Sequence, residues 1–159
     1  MSWQIDGKTN GPDLAWPDGK RIAVMVTFDY DAEFLRISRA KSKGTTIGFT
    51  DFSRGQYGPH EGLARCLDML DATGIKSTFF VPGIVGEKYR DTLEEIAARG
   101  HELACHGYMH ESDRGISCQE EIGILEKSES CLLYTSPPLL SAPFPLFSCS
   151  VFLRFVLNL

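Results

Sequence analysis

Residues 21–28 (RIAVMVTF) form a nearly continuous apolar run, rich in β-branched side chains, that stops at Asp29. Such a run predicts a buried strand. Residues 29–60 show weak periodicity and read as a long loop, with a short helix near residues 32–39. Residues 61–72 then place Leu63, Cys66, Leu67 and Leu70 at helical spacing, and Gly74 supplies the stop. Residues 76–81 (KSTFFV) predict a second buried strand, closed by Pro82 and Gly83. A helix over residues 84–99 follows, ended by Gly100, and residues 101–105 (HELAC) predict a short third strand. Ser117 and Glu120 have capping-box spacing and open a last helix, QEEIGILEKSE. Strands separated by helices imply parallel pairing through right-handed crossovers, hence an α/β fold. Three strands make only part of a sheet or barrel.

The pattern breaks near Ser130. From Leu132 to Leu159 the only charged residue is Arg154, and four prolines, Pro137, Pro138, Pro143 and Pro145, oppose regular structure. The apolar run over residues 146–157 is shorter than the roughly 20 residues a spanning helix needs, so no membrane anchor is expected. The sequence CLLYTS at residues 131–136 resembles the translation of a DNA-library adapter. Two domain segments are therefore expected: residues 1–130, and an apolar, Pro-rich, non-native tail over residues 131–159. The alternative is a natural extension that docks on a partner.

The 159 residues allow one domain of ordinary size. Net charge is −5 without a basic run, which argues against nucleic acid as a partner. No apolar leader is visible at the N-terminus, so a cytoplasmic location is expected. The five cysteines (Cys66, Cys105, Cys118, Cys131, Cys149) are odd in number and widely spaced, and are read as buried or free thiols.

Ligands of parallel α/β folds gather at the carboxyl ends of the strands, and two polar clusters fall there. Asp29 and Asp31 follow the first strand in TFDYDAE, and their spacing of two turns both carboxylates to one side of extended chain. His106 and His110 follow the third strand in ACHGYMHES, and on a helical turn their spacing of four puts both imidazoles on one face. Two histidines and a carboxylate suit zinc or another divalent transition metal. Such a metal lowers the pKa of a bound water towards about 7, leaving the second carboxylate as general base. Each cluster also has a plainer reading, as a chance HxxxH or a solvated turn. Cys105 is expected in the core and His101 in a structural role. His60 reaches a substrate or is an ordinary loop histidine. Glu33 and Glu111 orient the ligands or are simply exposed.

Residues 26–33 (VTFDYDAE), 77–83 (STFFVPG) and 100–111 (GHELACHGYMHE) resemble the first conserved blocks of the polysaccharide deacetylase family, over about residues 20–128. The resemblance implies an incomplete, distorted, TIM-like (β/α) barrel with parallel strands. It implies a metal-dependent hydrolase of non-peptide C–N bonds, acting on an acetylated sugar or glycan. Asp29 would be the base, Asp31, His106 and His110 the metal ligands, zinc the metal, and the Tyr30 backbone N–H an oxyanion donor. The Tyr between the aspartates and Gly107-Tyr108 after His106 look more like a cytoplasmic subgroup that includes allantoinase-like and cyclic imide hydrolases, so ring opening of a small imide or amide is the alternative. A non-catalytic metal-binding module is a third reading. The family's later Arg motif and catalytic histidine have no counterpart here. The chain is thus expected to be an inactive front part, with a homo-oligomer possible for the full-length protein.

Overall fold

The computed structural model describes residues 24–112, 115–133 and 156–158, together with Asp18. Strand β1 is Thr27–Asp29. It is followed by helices α1 (Phe34–Ser42) and α2 (Phe49–Gly55), a π-helical turn over Gly58–Gly62, and α3 (Leu63–Thr73). Strand β2 (Thr78–Val81) leads into α4 (Gly83–Lys88) and α5 (Arg90–Ala98). Strand β3 (Glu102–Cys105), α6 (Cys118–Leu133) and β4 (Val156–Asn158) complete the described elements.

All pairs in the sheet are parallel, in the order β3-β2-β1-β4. Phe28 lies opposite Phe79 in the register, and their rings stack with centroids 5.0 Å apart. Leu63, Leu67 and Leu70 of α3 and Leu93 and Ile96 of α5 join them in one buried core. The parallel α/β arrangement is the one expected. Among the described residues the strands form one open sheet.

The differences from expectation have local causes. The first strand is shorter: Val24 and Met25 are 78% and 57% exposed, and pairing starts only at Thr27 opposite Thr78. A strand persists only where a neighbour supplies hydrogen-bond partners. Residues 21–23 of the expected strand lie outside the described residues. The short helix expected near residues 32–39 forms as α1, with Phe34 buried and Ile37 packed against the core, whereas α2 in the same expected loop was not anticipated. The expected helix over 84–99 breaks at Tyr89 (φ −123°, ψ 45°), where the tyrosine hydroxyl turns to Glu33 and Thr92 restarts the helix by donating to the Tyr89 carbonyl.

The capping box at α6 forms as predicted, with the Ser117 N–H on Glu120 Oε2 at 2.8 Å and the Glu120 N–H on Ser117 Oγ at 3.3 Å. That helix continues past the compositional break, and Cys131 and Leu132 are buried. Strand β4 is a fourth strand not anticipated from the hydrophobic pattern. The expected Pro-rich stretch and Cys149 lie outside the described residues. Among the described residues no helix is long and apolar enough to cross a membrane, and Cys66, Cys105, Cys118 and Cys131 are free. Cys105, expected in the core, is exposed. It sits on β3 at the end of the described strand order, where only one neighbouring strand covers it.

Candidate metal centre

Strand β1 ends on Asp29, and Asp31 follows two residues later; both are buried, at 7% and 3% exposure. Tyr30 between them is fully buried in the core, where its hydroxyl donates to Thr92 Oγ1 at 3.0 Å. Burial holds that hydroxyl well above the ordinary tyrosine range, so it stays protonated as a donor. The Tyr30 N–H donates to the Phe80 carbonyl at 2.8 Å, extending the β1–β2 pairing by one residue. It is therefore already engaged, and the expectation that it steadies an oxyanion does not fit this structure.

Strand β3 delivers the two histidines. The His106 N–H donates to the Val81 carbonyl at 3.1 Å, which fixes the chain where it leaves the sheet. His106 Nε2 lies 3.7 Å from Asp31 Oδ1, and His110 Nε2 lies 3.8 Å from Asp31 Oδ2. The two imidazoles meet edge to face with centroids 4.5 Å apart. One donor atom from each of Asp31, His106 and His110 falls within 4.8 Å of the others. Both histidine side chains are partly exposed, at 21% and 28%, so the cluster opens to solvent on one side.

The spacing predicted the partnership but not its conformation. Residues 106–110 form a bend, not a helical turn, with Gly107 at φ 72° and His110 at φ 58°. Ala32, next to Asp31, is also left-handed at φ 50°. Such conformations cost a non-glycine residue on the order of 1 kcal/mol and persist only where the surroundings impose them.

The surroundings here are specific. The Glu111 carboxylate accepts the Tyr108 and Met109 N–H groups, each at 2.9 Å. The first N–H groups of α4, Gly83 and Ile84, donate to the Gly107 and Tyr108 carbonyls at 2.9 and 3.0 Å. The Ser38 hydroxyl donates to the His110 carbonyl at 2.9 Å from α1. Glu111 thus supports the ligand loop through its backbone. Ser38, Gly83 and Ile84 were not foreseen, and the sequence carries no signal for them, because each acts through a contact with residues far along the chain.

Glu33 is fully buried, but its carboxylate meets Lys88 Nζ and the Tyr89 hydroxyl and not the histidines. His60 is exposed in the π-helical turn, with its ring 6.2 Å from that of Tyr89, and is not part of the donor cluster. His101 is buried at the base of β3, where its Nδ1 accepts the Ser77 N–H at 3.3 Å, in line with a structural role.

The sequence profile of the family described as polysaccharide deacetylase matches residues 18–144. The chain belongs to the polysaccharide deacetylase family. A peptidoglycan deacetylase-like protein of Gibberella zeae is 31% identical over 117 residues, which cover 72% of this chain and 34% of that protein. A crystal structure assigned as a polysaccharide deacetylase from Mycobacterium smegmatis is similar at 36% identity and a TM-score of 0.71, over 80% of this chain and 44% of that one. Puue allantoinase shares the fold, with a TM-score of 0.70 at 20% identity, over 80% of this chain and 47% of its own. The chain thus spans about a third of the length of the curated relative.

Members of this family remove acetyl groups by hydrolysis and generally use a divalent metal. The donor set fits one. Two imidazole nitrogens and a carboxylate match zinc chemistry, and donors around tetrahedral zinc sit about 3.4 Å apart. The distances of 3.7 and 3.8 Å need only small side-chain rotations to close.

Proposed function

We propose that the chain carries the front part of a metal-dependent hydrolase that removes the acetyl group from an acetylated amino sugar or glycan. The observation that carries this reading is the buried Asp31 carboxylate facing two imidazole nitrogens within a single 4.8 Å cluster. Asp31, His106 and His110 would hold the metal, zinc by preference. When bound, the cation supplies Lewis acidity to the acyl oxygen and a water of lowered pKa. Asp29, buried at the end of β1 and set two residues from Asp31, takes the proton from the attacking water. Glu111 and Ser38 keep the histidine loop in place, so the donors need no reorganisation during the reaction.

On this reading residues 1–130 belong to the catalytic domain, part of a distorted barrel, and residues 131–159 are foreign to it. The compositional break supports that division. Sequencing the parent DNA past codon 130 tests it.

Cobalt(II) titration tests the centre itself. We expect one equivalent to bind with a tetrahedral visible spectrum, lost in His106→Ala and His110→Ala. Absence of that spectrum would overturn the metal site. Acetate release from N-acetylated sugars by a relative spanning the full domain, run beside ring opening of cyclic imides, separates deacetylation from imide hydrolysis.

A further inference from the structure

A cavity of about 170 Å³ lies directly beside the metal centre, with Asp31 and Ala32 forming one wall. Its other walls are Leu35, Arg36 and Arg39 of α1 and Arg54 and Gly55 of α2. Three solvent-exposed arginines therefore line a space that shares Asp31 with the candidate metal ligands. This concentration of positive charge runs against the chain's net charge of −5.

The three arginines are not equivalent. Arg36 is tied to Asp51, Nη1 to Oδ1 at 3.2 Å. Among the described residues no ion pair engages Arg39 or Arg54. Their charges do not serve to hold α1 on α2, where Arg36 and Asp51 already bridge. Arginine presents a planar fork of donors that matches the oxygens of a carboxylate or phosphate. Two such forks beside a reaction centre attract and orient an oxyanion.

We infer that this cavity is a substrate subsite for an oxyanion, held by Arg39 and Arg54, so that the substrate carries a carboxylate or phosphate close to the bond that is cleaved. This rests on the deacetylase reading for the nature of that bond, but not for the anion binding. Arg36, paired with Asp51, forms a further wall of the cavity. The space admits a substituent of a few heavy atoms, on the order of five water volumes.

The test is a matched ligand series titrated calorimetrically into the full zinc-treated chain: N-acetylglucosamine, its C6 carboxylate and its 6-phosphate. At least one anionic ligand is expected to bind tenfold or more tightly than the neutral sugar. The advantage should shrink below twofold in Arg39→Gln/Arg54→Gln, survive in Arg39→Lys/Arg54→Lys to an intermediate degree, and stay intact in Arg65→Gln on α3. The two anions distinguish carboxylate from phosphate. Equal affinity for all three ligands, no measurable binding of either anion, or a preference indifferent to the double glutamine variant would overturn the subsite. Acetate release measured in parallel on a relative that spans the full domain and carries both arginines keeps the two readings separate. Equal release from neutral and anionic sugars keeps the deacetylase and removes the subsite. Arginine-dependent anion binding without release keeps the subsite and counts against the deacetylase. Circular dichroism of each variant confirms that it is folded.

Discussion

The carboxylate of Glu111 accepts the backbone N–H of Tyr108 at 2.9 Å, and by that bond it holds the bend that brings His106 and His110 to one side of Asp31. A second bond from Met109, also 2.9 Å, completes the clamp. Removing the carboxylate in Glu111→Ala should leave the sheet intact and weaken zinc binding about 10- to 100-fold, the usual cost of losing a group that orients ligands. Competition with a chromophoric chelator measures it. An unchanged affinity would show that the Gly83, Ile84 and Ser38 contacts suffice.

Glu33 and Lys88 form an unequal pair. Glu33 is fully buried, whereas the Lys88 side chain is 41% exposed. The hydrogen bond to Glu33 holds the Lys88 ammonium above its ordinary pKa. Losing Lys88 strands a buried carboxylate, while losing the Glu33 charge leaves a lysine free to turn to water. Lys88→Met should therefore cost about 3 kcal/mol and Glu33→Gln roughly 1–2 kcal/mol. Urea denaturation of both variants tests the order, and equal losses would contradict it.

Burial, together with nearby Lys76, lowers the pKa of His101 below its ordinary 6.5. The folded state thus prefers the neutral ring, whose Nδ1 accepts the Ser77 N–H. The stability contributed is present above the unfolded value of 6.5 and is lost as pH falls through the lowered folded value. His101→Asn should flatten stability between about pH 7.5 and about pH 5, relative to the parent chain. Denaturation midpoints at the two pH values supply the comparison; parallel slopes would place the acid sensitivity elsewhere.

Gly55 packs its α-carbon against the backbone of Glu33, where an added β-carbon has no room. Gly55→Ala should cost about 1–3 kcal/mol by forcing α2 away from the Asp31 turn. Because Gly55 and Asp31 line the same cavity, anion binding should fall along with the melting temperature. Gly44→Ala is the control for a glycine with open space around it, although its φ of 65° makes a smaller loss expected there too.

Local rules made much of the molecule legible. The apolar runs of β1 and β2, the leucine period of α3 and the Ser117–Glu120 box are short-range patterns, and each formed near its expected place. The residues with ligand chemistry were also legible, because Asp31, His106 and His110 follow strands of one parallel sheet, although those two strands, expected to be direct neighbours, have β2 between them. The expected helix over 84–99 misled because nothing local announces that Tyr89 is drawn out of it by Glu33, 56 positions away.

The sequence by itself determined the alternation of strands and helices and the donor types at the strand ends, since both follow from side-chain polarity and spacing. Only the tertiary structure decided how those donors are held. The left-handed His110, the engagement of the Tyr30 N–H by Phe80 and the burial of Glu33 against Lys88 arise from contacts between segments far apart in the chain. Backbone hydrogen bonds must be satisfied wherever the chain is buried, and their partners are known only once the segments have been brought together.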